Sequence, residues 1–433
     1  MLIYILLLVS FAVSSLFLNI NSKRQLQMTD GNSSSQLNRN NKKDVKLING
    51  IICAVAAMVL IIIAACRGIN VGYDTINYES YFSFKQQNPT SMVYEPLFEF
   101  FNWLVVYLKL PFNFLLLICS AFFIIALAVA IYKYSPNVAF SWFLFVALGF
   151  FGNTFNAIRQ YLAAAVFIFS LRYILKGKFI SYLLCCLIAF YFHSSAIVLI
   201  PIYFIKYFKL NKWTIAITLV GTFLVGIFME QITKLLSMIT NFSYYERYYV
   251  TKILWEPIKL YYVLYSFGMI CVFLLFYLLR KKLQNLNDKQ TKTLDLFMIL
   301  FFFSVCIRML GTFSHMFSLV NRFSVYFFIS IIFIIPYFQF VFRKEISDLM
   351  LMLIAFLGFG YNIISAVIRK TNGIYPYEFA WSNSAFIFLV VSIIIVALAI
   401  MILQSYQYYK FLEEGDCETE NTYYKVNFNN KRF

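Results

Sequence analysis

The sequence predicts an all-α polytopic integral membrane protein with about 13 transmembrane helices and one outer interfacial or re-entrant helix. Three observations carry this. Hydrophobic residues fill 62% of 433 positions and charged residues only 13%, more apolar surface than a water-soluble core can hide. Runs of about 20 apolar residues, long enough to cross roughly 30 Å of hydrocarbon as helices, recur almost from end to end. Their dense Phe and Ile, with few alternating polar positions, argue against a β-barrel. The net charge of +17 would suggest nucleic acid in a soluble domain. Here the Lys and Arg sit in short loops between apolar runs, so they report topology and no nucleic-acid partner is expected. Seven cysteines lie in or beside apolar segments and Cys417 in the tail, without disulfide or zinc spacing.

The run Leu2 to Ile20 lacks a basic n-region and an A-x-A-type cleavage site, which marks a retained first helix rather than a signal peptide. Residues 21–46 are polar, Ser/Asn-rich and basic, the composition of a flexible cytoplasmic loop. Apolar runs then place helices near 47–65, 112–132, 138–155, 157–175, 178–192, 194–209, 212–229, 259–279, 294–310, 322–340, 348–368 and 383–404. Basic clusters at Arg172/Lys176/Lys178, Lys206/Lys209/Lys212, Arg280/Lys281/Lys282/Lys289/Lys292 and Arg343/Lys344 assign their loops to the cytoplasm. The N-terminus is then outside and the C-terminal tail, 405–433, inside. Counting 96–108 as a crossing would turn Lys133 outward and spoil every later basic loop. That segment is therefore read as an interfacial or re-entrant helix, with Glu99 and Asn102 buried. It belongs to an outer loop at 66–111, and a second outer loop spans 230–258, all within a single transmembrane domain.

This topology gathers Arg67, Asp74, Glu79, Arg159, His193, Arg247, Arg308, His315, Arg322, Arg369 and Glu378 at the outer boundary. An arginine within a membrane helix costs at least ~2.5 kcal/mol on insertion scales, so these arginines call for an anionic partner. A diphosphate fits, because the planar guanidinium fork pairs with phosphate oxygens through parallel hydrogen bonds. The plainer alternative has some of them snorkelling to lipid headgroups or pairing with Asp74, Glu79 or Glu378. His193, in AFYFHSSAIVLIP, is a candidate general base or a histidine bonded to a nearby carbonyl. His315 has less around it and reads as structural. In NFSYYERYYV, Arg247 and Tyr248 offer charge and an aromatic face to a sugar, or belong to an interfacial aromatic belt.

The order Arg67-Gly68, Val71-Gly72, Asp74-Thr75 and Tyr78, then Glu95-Pro96 and Phe98, Asn156 with Arg159-Gln160, Phe192-His193 with Ser195-Ala196, Asn321-Arg322 with Tyr326 and Phe327, and Pro376-Tyr377 resembles the EpsG family. That family belongs with the Wzy-type polymerases of bacterial O-antigen, capsule and exopolysaccharide synthesis. Leu97 departs from the small residue expected after Glu-Pro. The resemblance implies a glycosyltransferase that joins oligosaccharide repeat units carried on undecaprenyl diphosphate at the outer face of the cytoplasmic membrane. It implies contact with membrane lipids, a flippase and a chain-length regulator as partners, and no cofactor.

On this reading Arg159 and Arg322 stabilise the departing diphosphate, His193 activates the acceptor hydroxyl, and Asp74 is a second base or an orienting group. Arg67, Tyr78, Arg247, Tyr248, Arg308, Arg369 and Tyr377 are expected substrate contacts. No clustered carboxylates mark a cation site, so metal independence is expected. Three rivals stay open: a GT-C-type enzyme that uses Asp74 with a metal and a polyprenyl-phosphate sugar, a flippase for the lipid-linked oligosaccharide, and a ligase. No Walker loop, H-E-x-x-H or G-x-S-x-G motif occurs.

Overall fold

Among the described residues, the chain is helical where about 20 apolar residues run together. The computed structural model describes residues 35–232, 256–283, 286–342, 344–368 and 370–380. Among them six helices are long and apolar enough to cross a membrane: Lys46–Ala65, Phe112–Tyr134, Ile158–Leu175, Leu260–Lys282, Asp288–Phe313 and Arg322–Phe340. Five shorter apolar helices accompany them: Val138–Ala147, Phe179–Phe192, Ser194–Tyr207, Lys212–Ile227 and Leu349–Gly358. The architecture is all-helical, and the one β-type pairing among the described residues is the isolated bridge between Arg67 and Phe379. About thirteen crossings were expected; among the described residues six helices meet the length, and the expected runs 2–20 and 383–404 lie outside those residues.

In chain order the elements that matter for the site are α1 (Ser35–Ala65), α2 (Thr75–Gln87), α3 (Pro96–Tyr107), α4 (Phe112–Tyr134), α5 (Val138–Ala147), α6 (Ile158–Leu175), α7 (Phe179–Phe192), α8 (Ser194–Tyr207), α9 (Lys212–Ile227), α10 (Leu260–Lys282), α11 (Asp288–Phe313), α12 (Phe317–Phe328) and α13 (Lys344–Ile363). Three differ from expectation in ways that physical chemistry explains. Helix α1 begins at Ser35, inside the segment expected to be a flexible loop; once an apolar helix is nucleated, Lys and Gln extend it at little cost. The expected 138–155 helix stops at Ala147, because Gly149 takes φ +80° and restarts the chain as a single turn, Phe150–Asn153. Helix α8 is a 3-10 helix containing Pro201; at about 2.0 Å per residue its 14 residues span about 28 Å, so a short segment nearly covers the hydrocarbon thickness.

Every residue of α5 is buried, as befits a helix apolar on all sides, and Asn137 caps it by accepting from the Phe140 amide. Around α5 pack α1, α4 and α13, with Trp142, Phe140, Phe145, Phe150, Phe151 and Phe155 forming the aromatic centre of the core. Helix α6 lies between α4 and α7, and α11 runs against α9, α10 and α12. Lys133, Arg172, Lys176 and Lys289 share one end of this bundle. Arg159 and Arg308 lie towards the other ends of α6 and α11.

Between α1 and α4 the chain forms two helices where a loop with one was expected. The expected 96–108 helix is present as α3, with Glu99 and Asn102 buried. Helix α2 was not anticipated, because its buried stripe is Thr75, Tyr78, Tyr81, Phe82 and Lys85, too polar to register as amphipathic. The Lys85 ammonium pairs with Glu99 Oε2 at 2.5 Å, and Glu99 Oε1 accepts from the Val93 and Tyr94 amides at 3.0 and 2.8 Å. This buried carboxylate therefore folds the 88–95 turn and sets where Glu95 emerges.

Candidate functional site: a carboxylate–histidine–arginine cluster

The strap 66–74 leads from α1 into α2 and is tied to the 370–380 segment. The Gly68 amide donates to the Glu378 carbonyl at 2.7 Å, the Gly72 amide to Gly373 at 2.9 Å, and the Ala380 amide to Cys66 at 2.9 Å. Gly72 has φ +91°, and a Cβ there would sit 2.8 Å from Thr75 Oγ1 and 3.0 Å from Phe155 Cβ. Only glycine makes this turn without strain, and the turn delivers Asp74 to the head of α2.

Asp74 opens onto a cavity of about 790 Å³ that is also lined by Tyr78, Arg159, His193, Arg308 and Arg322. Glu95, the residue before α3, organises one side of it. Glu95 Oε1 lies 3.0 Å from His193 Nδ1 and accepts from the Ser194 amide at 3.1 Å, while Oε2 forms an ion pair with Arg159. The Arg159 guanidinium also packs 4.3 Å from the Tyr94 ring centroid and interacts with the Tyr78 hydroxyl. Burial alone would raise the Glu95 carboxyl, but hydrogen bonds from His193 and Ser194 and the Arg159 charge outweigh it, bringing the group down to about 2. At neutral pH Glu95 is thus ionised and can only accept. His193 Nδ1 must then carry the proton, which leaves Nε2 as a lone-pair acceptor in the neutral imidazole.

Arg322 is exposed within the cavity and, among the described residues, its guanidinium makes no hydrogen bond. Its backbone is fixed by Gln160, which donates to the Arg322 carbonyl at 2.5 Å. Asp74 feels both Arg322 and Arg159, yet burial dominates and its carboxyl is raised above the ordinary value. A carboxyl whose folded pKa is raised costs stability when ionised, at pH values above that pKa, and the cost disappears as pH falls through it. Asp74→Asn should therefore raise the thermal midpoint at pH 7 while lowering turnover; a fall in the midpoint would remove this assignment. Scanning fluorimetry of the detergent-solubilised protein measures it.

Of the residues expected from sequence, Asp74, Tyr78, Arg159, His193, Arg308 and Arg322 meet in this cavity. Arg67 lies elsewhere: it is buried, donates through Nη1 to the Ala64 carbonyl at 2.6 Å, and packs 4.5 Å from the Phe155 ring centroid. Tyr377 gives its hydroxyl to the Ile63 carbonyl, which anchors the 370–380 segment to α1. His315 Nδ1 donates to the Glu256 carbonyl at 3.1 Å. Arg247, Tyr248 and Arg369 are outside the described residues.

Sequence reasoning missed Glu95 as a site residue. The signal was the Glu95-Pro96 pair, helix-starting chemistry that says nothing of a histidine 98 positions later.

The family model for the EpsG family matches residues 50–379, from α1 to the segment that closes on the strap. The chain belongs to the EpsG family. The family is associated with Wzy-type polysaccharide polymerases, so the cavity belongs to a membrane protein of polysaccharide synthesis. No curated protein and no solved structure matches the chain. Within the matched region, Asp74, Arg159, His193 and Arg322 line one cavity, and Glu95 bonds to two of them.

Proposed function

We propose that the protein joins undecaprenyl-diphosphate-linked oligosaccharide repeat units, releasing undecaprenyl diphosphate. The observation that supports this best is the Glu95–His193 pair facing the same cavity as the unbonded Arg322 guanidinium. His193 Nε2 accepts the proton of a sugar hydroxyl on the acceptor unit. That oxygen attacks the anomeric carbon of the donor, and the bond from this carbon to the diphosphate breaks with its electrons passing to the phosphate oxygen. Such a single displacement inverts the anomeric configuration. The leaving group is already acidic, so fixed positive charge from Arg322, rather than a general acid, is what the transition state needs. Ionised Glu95 stabilises the imidazolium formed during the transfer.

The basic end at Lys133, Arg172, Lys176 and Lys289 is read as cytoplasmic by the positive-inside rule, which turns the cavity outward. Charge stabilisation falls to arginine, and among the described residues no three His, Cys, Asp or Glu side chains gather as a ligand set. In cells lacking the protein, single unpolymerised repeats should accumulate on the outer side of the membrane. Repeats retained on the inner side would instead identify a flippase, and polymer of normal length on its lipid would identify a ligase.

A further inference from the structure

Arg308 lines the same cavity but stands apart from the Glu95 cluster. Asp74 senses Arg322 and Arg159, whereas Arg308 interacts with Tyr265, Tyr361 and Tyr161. It is only 6% exposed, and no carboxylate pairs with it among the described residues. Its Nη1 donates to the Tyr265 hydroxyl, and the guanidinium lies 4.2 Å from the Phe328 ring centroid. Nε is buried without a hydrogen-bond partner, and Nη2 makes none among the described residues. A guanidinium held this way in a membrane protein is costly, and an anion supplied by a ligand offsets the cost.

The unused edge carries Nε–H and one Nη2–H side by side, the arrangement that matches the two oxygens of a carboxylate. The same chain uses that edge elsewhere: Arg280 grips Asp295 through Nε and Nη2 at 2.8 and 3.3 Å. Tyr261, Tyr265 and Tyr361 also line the cavity and offer rings and hydroxyls suited to a sugar.

We propose that Arg308 and its tyrosines form a carboxylate-binding subsite for an acidic sugar, of the uronic acid class, within the glycan. This rests on the polymerase reading and deepens it: Arg322 takes the phosphates and Arg308 an acid on the sugar chain.

The test uses the full chain in detergent, with sodium glucuronate, methyl glucoside and inorganic pyrophosphate as probes at matched ionic strength, read as shifts in thermal midpoint. Glucuronate should raise the midpoint where methyl glucoside does not. Arg308→Gln should abolish that shift and keep the pyrophosphate shift, while Arg322→Gln should do the reverse. If Arg308→Gln does not fold, Arg308→Lys keeps the charge but loses the fork, and its glucuronate affinity should fall roughly tenfold or more. An unchanged glucuronate response in the Arg308 variant, or none in the unaltered protein, overturns the subsite. Loss of the pyrophosphate response with Arg308 overturns it too, by assigning Arg308 to the phosphates. Failure of the polymerase reading shows separately, as unchanged glycan chain length in cells lacking the protein.

Discussion

Glu95→Gln should lower the turnover of repeat-unit polymerisation by about 10²- to 10⁴-fold with little change in KM. The carboxylate holds three partners at once, His193, the Ser194 amide and Arg159. A carboxamide has one acceptor and one donor end. If its oxygen stays with His193 and Ser194, its NH2 group faces the Arg159 guanidinium and two donors confront each other. If it flips, the NH2 group faces His193 Nδ1 and favours the tautomer protonated on Nε2, the atom needed as acceptor. Either arrangement spoils the base or displaces the arginine. Because Glu95 is held at about 2, its own titration should leave no mark on the pH–rate profile between pH 4 and 8. Chain-length analysis of membranes containing matched amounts of inserted variant gives the rate, and turnover within threefold of the unaltered protein would sink the positioning role.

The parts of the fold that were legible in the sequence are those set by local hydropathy. The span Phe112–Tyr134 follows from a long, mostly apolar run, and α3 from Glu95-Pro96 ahead of an apolar stretch. Helix α2 was hidden because tertiary partners, not its own pattern, bury it: Lys85 is tolerated inside only because Glu99 faces it. The site was legible as a set of charges that the expected topology gathers, and Asp74, Arg159, His193, Arg308 and Arg322 of that set line one cavity. What sequence could not do was sort them. Arg67 and Arg322 are chemically identical and both begin or adjoin a motif, yet one closes onto the Ala64 carbonyl and the other stands open in the cavity. Likewise, Glu95 and His193 become a pair only because α3 packs against α7. That contact depends on long-range packing, which a pattern of residue types does not encode.

Arg322→Ala should reduce turnover by about 10²- to 10³-fold, the scale seen when one preorganised donor to a developing oxyanion is removed. Of the three arginines at the cavity, Arg159 and Arg322 lie nearest Asp74 and differ in what already holds them. Arg159 is already committed to Glu95, to the Tyr78 hydroxyl and to the Tyr94 ring, so its charge is largely matched before substrate arrives. Arg322 has a half-buried Asp74 in its field but no hydrogen-bonded partner among the described residues, and its helix is pinned by Gln160. An unmatched charge on an anchored backbone suits a departing diphosphate, which binds more tightly as negative charge accumulates on the bridging oxygen. Arg322→Lys should recover part of the loss, because the charge remains while the two-pronged geometry goes. Exogenous guanidinium should restore turnover to Arg322→Ala and leave Glu95→Gln unimproved, which separates phosphate stabilisation from base positioning. Equal rescue of both variants, or a loss below tenfold in Arg322→Ala, would reassign the leaving-group role to another cation.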